Sequence, residues 1–263
     1  MKRIVITGAT GGLGVALANL LDLEGNELIL VGRNEFALRA LNESLGGKHQ
    51  VMVADLTSDT DLESLIYQLS QQTIDVLINN AGLNEFGTFA DIPPEMIEKM
   101  FQVNAISPMK LTQALLPNLL RDKAMVLNIG SVFGYIGFPF YATCSATKFA
   151  LRGFSEALYR EYQDQGLQVM FIAPRAIATD MNSGVVEAMN AALGNHADTP
   201  EAVAAQIVTA IKASRVRGVI GFPEKVFARI NGFLPKLVDR ALIKQVAAMR
   251  PFAEQSKKQG EGL

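Results

Sequence analysis

The chain has 263 residues, of which 49% are hydrophobic and 19% are charged. This composition excludes intrinsic disorder, and the length suits one large α/β domain. A single cysteine, Cys144, and two histidines exclude a disulfide framework and a Cys/His metal cluster, so we expect no resident metal and a reducing, cytoplasmic location. The 24 basic and 26 acidic residues give a net charge of −2, which argues against a nucleic-acid partner. Met1-Lys2-Arg3 runs directly into a β-branched stretch, so we expect no secretory signal.

Short β-branched runs alternate along the chain with longer stretches of helical periodicity. Strands are predicted at 3–7, 27–31, 50–54, 74–79, 124–130, 167–172 and 217–221. Helices are predicted at 13–23, 35–45, 59–72, 94–120, 142–165 and 200–214. Runs that are apolar on consecutive residues, such as Val76-Leu77-Ile78, indicate a parallel sheet covered on both faces. The sequence therefore predicts an α/β fold, a single-domain doubly wound parallel sheet of the Rossmann type over residues 1–223.

The first strand and the first helix are joined by a glycine-rich turn, Thr7-Gly8-Ala9-Thr10-Gly11-Gly12-Leu13-Gly14. A turn at this place aims backbone N–H groups and the positive end of the helix at a bound phosphate. A side chain at Gly12 would block the approach of a pyrophosphate, and Gly14 allows the helix to pack closely on the strand. We therefore expect a dinucleotide to be bound by Gly8, Thr10, Gly11, Gly12, Leu13 and Gly14.

The end of the second predicted strand bears on the choice of cofactor. An NAD site would place Asp or Glu about 20 residues past the glycines. The strand instead ends in Val31-Gly32-Arg33-Asn34, and Arg33 could pair with a 2′-phosphate. Arg33 could equally be a solvated loop residue, with Glu35 as a later acid. The sequence favours NADP(H), with NAD(H) as the alternative.

Further motifs follow in order along the chain: Val53-Ala54-Asp55-Leu56, Asn79-Asn80-Ala81-Gly82, Val103-Asn104-Ala105, Ile129-Gly130-Ser131 and Ser145-Ala146-Thr147-Lys148. Together with the glycine turn, the chain resembles the short-chain dehydrogenase/reductase family from Thr7 to about Pro223. The resemblance implies reversible reduction of a ketone or aldehyde to an alcohol with a nicotinamide cofactor. It also implies a homodimer or homotetramer.

The resemblance further implies roles for individual residues. The implied cofactor contacts are Asp55, Leu56, Asn80, Ala81, Gly82, Lys148, Pro174 and Thr179. Among these, Asp55 would contact the adenine and Thr179 the nicotinamide carboxamide. Ser131 would hydrogen-bond the substrate oxygen, Asn104 would hold a water of the proton relay, and Lys148 would bind the nicotinamide ribose.

Two positions depart from the family pattern. Cys144 stands four residues before Lys148, where the family's YxxxK motif has tyrosine, and its distance from Ser131 along the chain supports that alignment. Arg175 stands where the PGxxxT motif has glycine. Its charge could contact a phosphate or a substrate carboxylate.

The thiol of Cys144 changes the chemistry expected at this position. In this family a positioned acid exchanges a proton with the substrate oxygen while a hydride passes to or from the nicotinamide. A thiol, with a free pKa of about 8.5, would be acidic enough beside Lys148. Its sulfur lies on Cβ and falls roughly 4 Å short of a phenol oxygen, whereas proton transfer needs about 3 Å or one bridging water.

Four hypotheses follow for Cys144. The cysteine could replace the tyrosine of an active parent and disable it, or the chain could be a natural protein that binds cofactor but turns over slowly. Water or Tyr141 could supply the proton, unless Tyr141 is an aromatic residue lining the substrate pocket. Finally, the thiol could act covalently or in redox chemistry. We expect impaired turnover with NADPH binding retained; the competing class is an inactive NADP-binding regulatory or structural protein.

The segment between Thr179 and Pro200 is expected to form a flexible lid over the substrate, as in the family. Apolar side chains in and near it favour a hydrophobic carbonyl or alcohol substrate. They are Met181, Met189, Phe133, Tyr135, Phe138 and Phe140.

Residues 224–263 combine apolar positions at helical spacing with a basic set, Lys225, Arg229, Lys236, Arg240 and Lys244. Pro235 is predicted to divide this segment into two helices. We interpret it as an amphipathic extension packed on the domain or on a second subunit, with peripheral membrane contact as the alternative. Its apolar set is too short to span a bilayer.

Overall fold

A computed structural model describes residues 1–119, 124–182 and 184–260, with only the backbone described for 257–260. The predicted α/β fold is confirmed, because seven parallel strands form one sheet in the order β3-β2-β1-β4-β5-β6-β7. The strands are β1 (Arg3–Thr7), β2 (Glu27–Gly32), β3 (Gln50–Val53), β4 (Val76–Asn79), β5 (Met125–Ile129), β6 (Gln168–Pro174) and β7 (Arg217–Ile220). The order runs outward from β1 in both directions, so a crevice is expected at the carboxyl ends of β1 and β4.

Helices cover both faces of the sheet. They are α1 (Gly12–Leu23), α2 (Glu35–Ser44), α3 (Asp59–Ser70), α4 (Pro94–Phe101), α5 (Ser107–Leu119), α6 (Ala142–Tyr162), α7 (Val185–Ala192), α8 (Pro200–Lys212), α9 (Glu224–Phe233) and α10 (Pro235–Gly260). On one face α1, α2 and α8 pack with Ile4 and Ile6 of β1, and on the other α3, α5 and α6 pack with Val5. Because side chains alternate along a strand, consecutive apolar residues supply both layers of the core.

The prediction of one uninterrupted helix over 94–120 is wrong. Helix α4 passes into α5 through one π-helical turn, Gln102–Ile106, and residue 120 lies outside the described residues. The wider turn places the fully buried Asn104 against the loop after β4, where its amide is hydrogen-bonded to Leu83. Such turns often occur at functional sites, and nothing in the apolar periodicity announces them.

The segment expected to be a lid contains a helix that the sequence analysis did not predict. Helix α7 begins after Gly184, whose φ is 63°, and it has no side-chain hydrogen bond at its N-cap. Val185 and Met189, one turn apart, pack against a cluster that includes Phe86 and Tyr141. Only eight residues long and without a cap signal, the helix depends on this tertiary contact.

The two carboxyl-terminal helices meet at Pro235, as predicted from the sequence. Val238 near the start of α10 packs against Val132 and Ile136, and Met249 and Ala253 pack against the cluster beneath α7. Helix α10 therefore lies along the edge of the domain with one face buried. No helix in the described ranges is long and apolar enough to cross a membrane.

Candidate active site

A cavity of about 870 Å³ follows the carboxyl ends of the strands from the glycine turn to α10. This volume lies in the range typical of cofactor and ligand sites. Nearly all the residues singled out from the sequence line it: Gly8, Thr10, Gly11, Gly12, Leu13, Gly14, Arg33, Asp55, Leu56, Asn80, Ala81, Gly82, Ser131, Cys144, Lys148, Pro174 and Thr179. Among the cofactor and catalytic residues Asn104 is the exception, because it is fully buried behind the wall of the cavity. Of the apolar side chains expected at the substrate pocket, Tyr135 and Phe140 do not line the cavity, because their rings pack against Phe171 and Phe86.

The glycine turn is held in place by the end of β4. Asn80 Nδ2 donates to the carbonyls of Thr7 and Gly8 at 3.0 and 3.1 Å. Gly8 has a φ of 64°, and a Cβ on it would lie 2.8 Å from Ala81 Cα. Helix α1 begins at Gly12, so the free N–H groups of its first turn point into the cavity. This is the arrangement that binds a phosphate.

The end of β2 presents one cation to the same cavity. Arg33 is exposed and lines it, whereas Glu35 belongs to α2 and pairs with Arg39 at 2.7 Å. Burial alone would raise the pKa of Asp55, but hydrogen bonds from the backbone N–H and hydroxyl of Thr57, with Arg33 nearby, hold that pKa below its ordinary value. Asp55 therefore stays ionised near neutral pH.

At the other end of the cavity a lysine and a thiol lie one helical turn apart on α6. Lys148 Nζ donates to the Ile129 carbonyl at 3.3 Å, and burial lowers the pKa of this amine. Cys144 is 4% exposed; burial raises the pKa of its thiol, and Lys148 offsets that rise only in part. The expectation that Lys148 would make the thiol acidic is therefore wrong, because desolvation outweighs the charge.

Asn104 connects three segments behind this site. Its Oδ1 accepts from Leu83 N at 2.7 Å, and its Nδ2 donates to Leu83 O at 2.9 Å and to Thr147 Oγ1 at 3.0 Å. Thr147 Oγ1 in turn donates to the Cys144 carbonyl at 2.8 Å. A Cβ on Gly82 would lie 3.5 Å from Asn104 Oδ1 and 3.7 Å from Lys148 Nζ. Both N–H groups of the Asn104 amide are used, so only Oδ1 has hydrogen-bonding capacity left.

Ser131 follows β5 and begins a short helical turn. Its Oγ accepts from Phe133 N at 3.2 Å, which leaves the hydroxyl proton free to be donated to a ligand. Phe133 stacks on Phe138 with ring centroids 5.4 Å apart, and both line the cavity beside Ser131. The hydroxyl therefore lies at the border between the polar half and the aromatic half of the cavity.

Comparison with known proteins identifies the family. A family model described as short chain dehydrogenase matches residues 2–190. The chain belongs to the short-chain dehydrogenase/reductase family. Within it, the chain is 34% identical over 195 residues to dehydrogenase/reductase SDR family member 7B of Mus musculus, which covers 70% of this chain and 60% of that protein. It is 31% identical to 3-oxoacyl-[acyl-carrier-protein] reductase FabG of Haemophilus influenzae, covering 73% of this chain and 81% of that protein.

Solved structures agree on the fold. A short-chain dehydrogenase from Streptomyces avermitilis is 26% identical, with a TM-score of 0.78 over 95% of this chain and 98% of that chain. A short-chain dehydrogenase from Sphingobium yanoikuyae, solved in complex with NADPH, is 24% identical, with a TM-score of 0.78 over 91% and 96% of the two chains. The match to the mouse relative leaves more than a third of that protein's length uncovered.

Tyr141 does not share a helix face with Cys144. Helix α6 begins one residue later, and the Tyr141 ring lies 4.8 Å from that of Phe133 and 5.0 Å from that of Phe86. Burial raises the pKa of the Tyr141 phenol strongly. A raised pKa makes this phenol a weaker acid, and its place in the cavity wall favours the alternative, an aromatic residue lining the pocket, over a proton source.

Arg175 lines the cavity, and its charged end is paired within the protein. Its Nε and Nη2 donate to the two carboxylate oxygens of Asp198 at 2.9 and 2.6 Å, and Nη1 donates to the Phe222 carbonyl at 3.1 Å. The backbone of Asp198 also pairs with Ala176 and Ala178. The Arg175 side chain thus secures the far end of the segment that carries α7.

Asn84 is among the polar residues of the cavity that sequence reasoning missed. Asn84, two residues after Gly82, lines the cavity, and its Oδ1 is buried without a hydrogen-bond partner among the described residues. Its place directly after the motif that ends β4 was the available signal. Such an oxygen is suited to accept a hydrogen bond from a ligand.

The pairing of Arg175 with Asp198 predicts a pH-dependent stability. The hydrogen bonds from Arg175 hold the pKa of Asp198 below its ordinary 3.8, so the pair contributes above that pH and is lost as the pH falls through the lower, folded-state pKa. We expect Asp198→Asn to lower the free energy of unfolding by about 1–3 kcal/mol at pH 7. Urea titrations at several pH values measure it.

The control is the double-mutant cycle with Arg175→Met. Because the two residues share one interaction, the double variant should be little less stable than either single variant. Additive losses at pH 7, or a difference from the parent that persists at the acid end of the titration, would contradict the pairing.

Proposed function

We propose that this protein is an NADP(H)-dependent oxidoreductase that interconverts a hydrophobic ketone or aldehyde and its alcohol, with turnover impaired by Cys144. The observation that carries the proposal is one continuous cavity that joins the glycine turn to Ser131 and Lys148, with the thiol one turn before the lysine. Membership of the short-chain dehydrogenase/reductase family supports the oxidoreductase class.

The residues along the cavity fit a nicotinamide dinucleotide. The bare backbone of the glycine turn would hold the pyrophosphate, Asp55 and Leu56 the adenine, and Arg33 the 2′-phosphate. A Cβ on Gly12 would lie 2.7 Å from Thr179 Cγ2, so Thr179 stands directly against the turn, from where it would contact the nicotinamide carboxamide. The bound cofactor would supply or accept the hydride.

The chain's own groups would handle the substrate oxygen and its proton. Ser131 has a free hydroxyl proton to donate to a carbonyl oxygen, and Lys148 would hold the ribose. Asn104 has one oxygen lone pair left with which to hold a water near Lys148. Cys144 is too short to reach the substrate oxygen, and its raised pKa makes it a weaker acid, so proton transfer would be slow.

The substrate half of the cavity favours an apolar molecule. Its wall is built by Phe133, Phe138 and Tyr141 with Met189, and aromatic and apolar lining is typical of pockets for hydrophobic ligands. Two curated relatives are named as a 3-oxoacyl-[acyl-carrier-protein] reductase and a ketoacyl reductase, which is consistent with a carbonyl carried on an alkyl chain.

The second candidate is a protein that binds NADP(H) without turning over. The observation that favours it is the buried, protonated thiol of Cys144 at the acid position. Binding measurements cannot separate the two functions, because both require the cofactor. Oxidation of NADPH by a Cys144→Tyr variant across ketones, aldehydes, acyl thioesters and sterols separates them.

The cofactor preference is tested by Arg33→Gln, with Arg39→Gln as a matched control one turn into α2. Loss of a charge-assisted hydrogen bond should weaken NADPH binding by about 10- to 100-fold and leave NADH binding unchanged. Arg39→Gln removes an exposed charge outside the cavity and should change neither affinity. Calorimetric titration with both cofactors measures this, and equal losses for NADPH and NADH would contradict the assignment.

A further inference from the structure

Helices α9 and α10 form a hairpin whose turn is apolar and exposed. Phe233 is 86% exposed, Leu234 61% and Leu237 55%, and these three with Pro235 are called the hairpin tip. Large apolar side chains that are this exposed and adjacent in the chain mark an interaction surface rather than ordinary scatter. The opposite side of the hairpin is fixed to the domain, because Asn231 Nδ2 donates to the Tyr135 carbonyl at 2.8 Å.

Basic side chains follow the tip along both helices of the hairpin. Residues 225–244 contain five basic residues, all exposed, and one acidic residue, Asp239. The basic residues are Lys225, Arg229, Lys236, Arg240 and Lys244. An apolar end followed by basic residues is complementary to an anionic lipid surface, because headgroups pair with the cations while acyl chains accept the apolar residues.

The same hairpin forms part of the wall of the cavity. Phe227 lines the cavity and is also 42% exposed, while Val238 and Leu242 line it from α10. A surface on which the tip rests would therefore lie close to one end of the cavity. An apolar substrate could then pass between that surface and the cavity with little exposure to water.

A second copy of the chain fits this surface less well than a lipid does. A two-fold interface pairs a patch with itself, so the five cations would face the same five cations. Such like-charge pairing is destabilising, whereas an anionic bilayer neutralises every one of them.

We propose that the α9–α10 hairpin docks the protein on an anionic lipid surface, with the hairpin tip at the level of the headgroups. The docking goes beyond the proposed function and does not require turnover. It depends on side chains outside the glycine turn and outside the Ser131, Cys144 and Lys148 group.

Vesicle flotation of the full chain tests the proposal. Phosphatidylcholine vesicles are compared with vesicles that contain about a third phosphatidylglycerol, at low and at high salt. We expect flotation only with the anionic vesicles and its loss at high salt. Phe233→Ser should weaken binding by about tenfold, because one fewer aromatic ring leaves water.

Matched controls place the effect on the hairpin. Phe36→Ser removes a ring that is 83% exposed on α2 and should leave flotation unchanged. Lys236→Gln with Arg240→Gln should weaken binding by about tenfold or more, whereas Arg39→Gln with Lys212→Gln removes two exposed charges elsewhere and should not. Thermal melts of all variants check that each is folded.

Three results would overturn the proposal. One is no flotation on anionic vesicles at low salt. Another is an equal loss with Phe36→Ser and Phe233→Ser. The third is a dimer in sedimentation that Phe233→Ser dissociates, because the hairpin tip would then be covered by a second copy.

Discussion

Cys144→Tyr should raise the rate of NADPH oxidation with a carbonyl substrate by about 10²–10⁴-fold, the usual contribution of a positioned acid. The phenol would extend from α6 past Lys148, whose Nζ already lies against the Ile129 carbonyl beside Ser131. A lysine ammonium next to a phenol lowers the pKa of that phenol. The sulfur of Cys144 lies on Cβ, too far from the substrate oxygen to use such an effect. Steady-state rates over a carbonyl panel, with NADPH affinity determined separately, measure the gain.

The control is Cys144→Phe, which fills the same volume without a hydroxyl group. It should bind NADPH as well as the tyrosine variant does and should show no gain in rate. If the two variants are equally slow on every substrate class while both bind NADPH, the oxidoreductase proposal fails and the binding role is favoured. Faster turnover of the phenylalanine variant would show that volume, rather than proton transfer, limits the parent.

Gly14→Ala should abolish NADPH binding and lower the free energy of unfolding by about 3 kcal/mol, at the upper end of overpacking costs. A Cβ on Gly14 would lie 2.9 Å from both the Cα and the C of Ala9 and would overlap Gly8 O. These neighbours are backbone atoms of the glycine turn, so the turn itself must open to make room. Urea denaturation and NADPH titration measure the two effects.

Gly153→Ala is the matched control. Gly153 lies inside α6, and no atom lies within 4 Å of the added Cβ. The free energy of unfolding of this variant should rise by about 0.5–1 kcal/mol, and its NADPH affinity should be unchanged. A Gly14→Ala protein as stable as the parent, with NADPH affinity intact, would show that α1 does not depend on this close approach.

The periodicity of apolar residues was sufficient to predict the parallel sheet and the helices that cover it. Val76, Leu77 and Ile78 of β4 are apolar on successive residues, which is the pattern expected of a strand buried on both faces. The sequence did not predict the π-helical turn at Asn104 or the short helix α7, because both depend on contacts with residues far along the chain. Local patterns carry no record of such partners.

Most of the residues in the motifs line one cavity, because the motifs follow parallel strands whose carboxyl ends share an edge of the sheet. The electrostatics at Cys144 and the partner of Arg175 were decided only by the tertiary structure. Burial, which no single residue determines, makes the thiol a weaker acid than its lysine neighbour suggests. The sequence suggested a ligand contact for the charge of Arg175, whereas in the structure Arg175 pairs with Asp198. Sequence alone determined which chemical groups gather at the edge of the sheet; the fold determined their protonation and their partners, because both depend on how much water packing removes.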